Sequence, residues 1–117
     1  MRDVDRAVAF YVEAFGATEV GDRGVAPDGS QVAVLTVHGH GFGVATESTE
    51  LGTPGPETAG VTTVRLSLVV DDPDAAQARA IAAGAVERFP VADQPYGYRQ
   101  GRVIDPFGHH WMIGRPL

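Results

Sequence analysis

Apolar residues recur at three- and four-residue steps between Asp3 and Phe15, with Val4, Ala7, Val8, Tyr11, Ala14 and Phe15 sharing one face. This spacing predicts a helix. Asp3 supplies an N-cap oxygen and Gly16 a left-handed stop. Beyond Gly16 the period falls toward two. Thr18–Val20 reads as a short strand, Gly21–Ser30 as loop, and the valine-rich Gln31–Val37 as a strand. His38-Gly-His-Gly turns the chain back into a further strand, Phe42–Glu47.

Ser48–Gly60 is thick with Pro, Gly, Ser and Thr and reads as a linker. Val61–Val70 then reads as a long apolar strand. Asp72-Pro73 opens a second helix, with Asp as N-cap and Pro at the first helical position, and Gly84 ends it. Ala85–Val91 is a strand and Ala92–Gly97 a loop. The sharpest local signal follows. Arg99–Ile104 and His109–Ile113 alternate as strands around Asp105-Pro106-Phe107-Gly108, where Pro106 presets φ, Asp105 caps its own turn and Gly108 supplies freedom at the close.

The two halves repeat. Asp3-Val-Asp-Arg-Ala matches Asp72-Pro-Asp-Ala-Ala, and Val34-Leu35…His40 matches Val103-Ile104…His109, at a common offset of 69. The second half reads strand–helix–strand–strand–strand. The first reads the same without its opening strand. The expected fold is α+β: tandem βαβββ units whose sheets are mixed and cupped, the first unit (1–47) lacking its leading strand, joined by 48–60 to the second (61–117). The sheets' open faces must then cover one another or a ligand.

Fifteen acidic residues stand against nine arginines, with no lysine, giving a net charge of −6. That balance argues against nucleic acid or an anionic membrane as partner and is permissive for a cationic ligand. Absent lysine excludes Schiff-base chemistry, and absent cysteine excludes disulfides, thiolate nucleophiles and Cys-held metals. No apolar run approaches bilayer length, and MRDVDRAV lacks the apolar stretch of a signal peptide, so a cytoplasmic location is expected. No nucleophile triad, phosphate loop or dinucleotide fingerprint is present.

The repeated order, the helix starts DVDRAVAFYVEAFGA and DDPDAAQARAIAAGA, and the hairpin GRVIDPFGHHWMI together resemble the vicinal oxygen chelate superfamily, whose members include glyoxalase, extradiol dioxygenases and fosfomycin- and bleomycin-resistance proteins. Within that group the chain resembles the small PhnB-like and bleomycin-resistance-like members. In the enzymes of that group a metal sits inside the cup, held from the first and fourth strands of each unit. The resemblance places Arg65 and Met112 at those positions in the second unit and Gly43 at the fourth-strand position of the first. A guanidinium, a thioether and a glycine cannot ligate a hard or borderline divalent cation, so no metal cofactor is expected.

Candidate ligand-binding residues follow. Strand alternation puts His110 on the face of Met112, which the resemblance turns toward the cup. Arg65 shares its inferred face with Thr63 and Ser67, and must pair with a carboxylate, for which Glu47 is the candidate, or await an anionic ligand. Tyr96, Tyr98 and Phe107 can stack on a flat ligand. Trp111 and Ile113 alternate away and are expected under the second helix. His38, His40 and His109 fit turn positions, though imidazoles at alternate positions can hold zinc or nickel. Asp71, Asp72 and Asp74 are accounted for by helix capping.

Three functional classes remain open at the level of sequence. One is a metal-free binding protein holding a small planar or cationic molecule in the cup between the units. Another is a metal-dependent lyase, isomerase or dioxygenase of the glyoxalase type. The third is a non-catalytic dimer. The edge left by the missing strand invites a second chain, so a homodimer is expected.

Overall fold

The structure, a computed structural model, describes residues 1–117. Helix α1 (Val4–Phe15) starts where Asp3 accepts a hydrogen bond from the Arg6 N–H at 3.1 Å, and ends at Gly16, whose φ of 68° lets its N–H reach back to the last turn. Four strands form the first sheet. β3 (Gln31–Val37) pairs antiparallel with β4 (His40–Ala45) on one flank. On the other flank it pairs in succession with β1 (Thr18–Glu19) and β2 (Gly24–Val25), the latter lying in the stretch expected to be loop.

Ser48–Gly60 is more than a linker. It contains the one-turn helix α2 (Pro56–Ala59), and Glu47 fastens it by accepting from the Gly55 N–H at 2.7 Å and the Thr58 hydroxyl at 2.8 Å. The second sheet has the order β5 (Arg65–Val69), β8 (His110–Pro116), β7 (Tyr98–Ile104), β6 (Val86–Asp93). β5 runs parallel to β8 and the other pairs are antiparallel. Helix α3 (Pro73–Ala83) crosses between β5 and β6, capped by Asp72 accepting from Ala75 N–H.

β5 is shorter than the ten apolar residues suggested. Arg65 pairs with His110, the first residue of β8 after the turn, so nothing stands opposite Val61 to Val64. The repeat holds at the level of single hydrogen bonds. Met1 N donates to Ala45 O at 2.8 Å, as Val70 N donates to Gly114 O at 3.0 Å, each pair offset by 69. Met1 thus stands at the place of Val70. The flank of β4 that β5 fills beside β8 is paired only at its Ala45 end. Even-numbered residues of β4 bond toward β3, since Thr46 N–H reaches Gln31 O, so the N–H and C=O groups of Gly41 and Gly43 face outward.

The core forms on the helix side of both sheets. Phe15 lies 4.8 Å and Tyr11 5.5 Å from Trp111 between ring centroids, and Phe42 of β4 is 5.9 Å from it. Trp111 therefore packs under α1 rather than under the second helix: α3 presents mostly alanine, and the bulk that fills the space comes from α1. Phe107, a candidate stacking residue, is 3% exposed and packs edge-on to Phe10 at 6.0 Å, inside this core.

The two concave faces do not cover one another within the chain. The units meet through α1 against α3, and the molecule extends 48 × 30 × 23 Å. On the first sheet Val32 and Val34 are left 50% and 47% exposed. Packing through the helices turns the open faces outward, so the expected cup between the units of one chain is not formed. No helix is long and apolar enough to cross a membrane.

Candidate functional site

The concave face of the second sheet follows from its register. Arg65, Ser67 and Val69 of β5 lie beside His110, Met112 and Gly114 of β8, and those lie beside Ile104, Arg102 and Gln100 of β7. The opposite parity, Val103, Trp111 and Ile113, is buried in the core. β6 completes the face, but its register to β7 shifts between Glu87 and Phe89 and again between Phe89 and Ala92. These bulges curl the strand and bring Phe89 over the face.

The result is a groove of about 800 Å³, within the range of small-molecule sites. Its floor is Ser67, Met112 and Gln100. Phe89 and Pro90 form one wall, and Tyr96 and Tyr98 stand at one end with ring centroids 6.5 Å apart. Every lining residue belongs to the second unit.

Of the residues singled out in the sequence, Arg65, Ser67, Tyr96, Tyr98 and Met112 line the groove. His110 shares their face but sits at the turn end of β8, beyond the groove lining. Glu47 is elsewhere. It is occupied by α2 and by Arg2, whose Nε lies 3.8 Å away, and the backbone N–H of Gly55 holds its carboxyl below the usual range, with Thr58 adding to this. The expected Arg65–Glu47 pair is thus absent, because the two residues belong to open faces turned away from each other. Gly43, on the first sheet, is also remote from Arg65 and Met112. The four histidines do not converge, and no group of three or more His, Cys, Asp or Glu comes together.

Phe89, Gln100 and Arg102 are the contributors that sequence reading missed. Gln100 and Arg102 were within reach, since alternation carries the Met112 face across the hairpin to them. Phe89 was not, because no composition signal marks the bulges that aim it. The Arg102 guanidinium lies 5.2 Å from the Phe89 ring, a cation–π contact, and its Nε is buried with no hydrogen-bond partner. Arg65 has no carboxylate within salt-bridge reach, whereas Arg99, on the helix side of β7, is held by Asp74 and Asp93 at 2.8 and 3.0 Å. No Asp or Glu lines the groove. Its charge is therefore opposite to that of the whole chain, and a cationic ligand finds no carboxylate there.

Comparison with known proteins agrees with this architecture. The family model for the Glyoxalase/Bleomycin resistance protein/Dioxygenase superfamily matches residues 1–113. An uncharacterised protein of Mycobacterium tuberculosis is 39% identical over 119 residues, covering 98% of this chain and 69% of that one. The crystal structure of TioX from Micromonospora sp. ML1 aligns with TM-score 0.73 at 31% identity, covering all of this chain and 90% of that one. TnmS3, an antibiotic binding protein from Streptomyces sp. CB03234, aligns with TM-score 0.73 at 25% identity, over all of this chain and 89% of that one.

Proposed function

The chain belongs to the glyoxalase/bleomycin resistance protein/dioxygenase superfamily, and from that premise we propose that it is a metal-free binding protein for a small planar molecule. The observation that carries the reading is the groove itself: a floor of hydroxyl, thioether and amide, walls of Phe89, Tyr96 and Tyr98, and no convergent set of metal-binding side chains. Aromatic faces take up a flat ring system by stacking and by release of water from both surfaces. Arg65 and Met112, where the family's enzymes are expected to place ligands, offer a cation and a soft thioether, and Gly43 offers no side chain. This donor set does not fit a divalent metal. The similarity to an antibiotic binding protein supports the same class of activity.

We further propose that the protein works as a homodimer in the cytoplasm. A second copy would cover the half-exposed Val32–Val34 face, and in doing so roof the groove, which one chain leaves open on its concave side. Cell fractionation checks the compartment. Isothermal titration of the purified protein with flat three-ring fluorophores tests the binding function: affinity in the micromolar range supports it, and no heat from any of them at a hundredfold excess sinks it.

A further inference from the structure

We propose that the groove selects anions among planar ligands, taking an aromatic carboxylate or phenolate through a surplus of hydrogen-bond donors; this rests on the reading of the groove as a small-molecule site. Two guanidiniums face it without a carboxylate. Arg65 and Arg102 stand on the strands either side of β8, in register with His110 and Met112. They are thus separated by two strand spacings, about 9.6 Å, and by about 7 Å along the strand. Both line the groove, Arg65 coming from β5 and Arg102 leaning on Phe89 of β6, so they meet a ligand above Met112 from opposite flanks.

The third donor is set by a hydrogen bond inside the site. The Tyr96 hydroxyl donates to Gln100 Oε1 at 2.7 Å, which orients that amide and leaves its N–H₂ for a ligand. Gln100 is further fixed through its carbonyl, which accepts from Gln94 Nε2 at 3.0 Å. The charged groups of the groove are therefore donors only. Arg102 reinforces the bias: its Nε is already desolvated without a partner, and its planar cation rests on Phe89, so an incoming carboxylate meets a guanidinium that has shed part of its water. A flat ring over Met112, flanked by Phe89 and Tyr98, would bring its acidic substituent within reach of these donors.

The test compares three tricyclic probes of similar outline by fluorescence titration at low salt: anthracene-9-carboxylate, neutral anthracene-9-methanol and cationic proflavine. Anthracene-9-carboxylate is expected to bind about tenfold more tightly than the alcohol, as charge-assisted hydrogen bonds provide, and proflavine more weakly still. Raising salt should narrow the gap. Arg65→Gln and Arg102→Gln should each reduce the carboxylate-to-alcohol affinity ratio, measured on the same variant, to about twofold or less, with circular dichroism showing that the variants fold. Tyr96→Phe frees the Gln100 amide to rotate and should lower the carboxylate-to-alcohol affinity ratio. Equal affinity for all three probes, or tighter binding of proflavine, overturns anion selection and leaves the binding function standing. Failure of all three to bind overturns both.

Discussion

The Tyr11 hydroxyl donates to the Asp105 carboxylate at 2.5 Å, joining the helix of the first unit to the hairpin turn of the second. Both residues are buried, Tyr11 at 1% and Asp105 at 4% exposure. The same carboxylate accepts from Trp111 Nε1 at 2.9 Å and from the backbone N–H groups of Phe107 at 2.9 Å and His109 at 3.0 Å. A buried carboxylate without a countercation is tolerable only when donors surround it in this way. The turn is therefore shaped from inside, by the group that also ties the halves together.

Tyr11→Phe removes one of these donors and leaves the ring packing intact. It should cost about 2 kcal/mol, the usual value for a hydrogen bond to a charged group. Asp105→Ala strands buried donors on Tyr11, Trp111 and the turn backbone, and should cost about 4 kcal/mol. Urea unfolding followed by Trp111 fluorescence measures both. A cost for Asp105→Ala no larger than that for Tyr11→Phe would mean that the carboxylate is a bystander.

Alkaline pH tests the same contact in another way. Burial, and next the Asp105 charge, push the Tyr11 hydroxyl well above its ordinary value of 10.0. The folded state thus keeps a proton that the unfolded state releases. The stability this lends is fully present below pH 10 and declines as pH rises beyond it, by about 1.4 kcal/mol per unit. The chain has neither lysine nor cysteine, and comparison with Tyr11→Phe isolates the one tyrosine in the core from the other two. Urea midpoints should fall more steeply above pH 10 in the wild type than in Tyr11→Phe. Parallel curves would show that Tyr11 is not held neutral by the fold.

How far these features were legible in the sequence depends on whether they are local. The α1 face, both helix caps and the Asp105–Gly108 turn are written in short-range spacing, and they are where that spacing put them. The repeat carried further, since an offset of 69 placed Met1 opposite Ala45 as Val70 is opposite Gly114. What failed was the relation between the units. Nothing in the alternation of Val32, Val34, Arg65 and Ser67 states whether two open faces meet within one chain, because that is decided by helix packing. The Arg65–Glu47 pair and the Trp111–α3 contact failed with it. Phe89 was missed for a different reason: two β-bulges break the period that would have revealed its face.

The half-exposed Val32–Val34 face yields a prediction on the proposed assembly. Val34→Arg places a charge on that face at little cost to the fold. The variant should retain its circular dichroism and run as a monomer by light scattering at a concentration where the wild type is expected to run as a dimer. A dimer that persists would remove this face from the interface.

Metal dependence is the sharpest separator of a binding protein from an enzyme of the glyoxalase type. Protein dialysed against EDTA should melt at the same temperature as protein incubated with zinc, nickel or manganese, because a ligand that binds only the folded state raises the midpoint and none is expected to bind. Elemental analysis after removal of free ion should find well under one metal per chain. A stoichiometric ion, or a midpoint raised by several degrees, would reopen the enzymatic reading.

Phe89 decides whether the groove is the binding site. It is 45% exposed and stands outside the buried core, so Phe89→Ala should lower stability by only about 1 kcal/mol or less. In the groove its loss is larger in consequence: a wall disappears, and the Arg102 guanidinium loses the ring it rests on. Stacking and cation–π support together are worth about 1–3 kcal/mol. Affinity for a planar probe should therefore fall at least about fivefold while the melting temperature barely moves. The opposite pattern, a lowered melting temperature with unchanged affinity, would assign Phe89 to the fold and move the binding site off this face of the sheet.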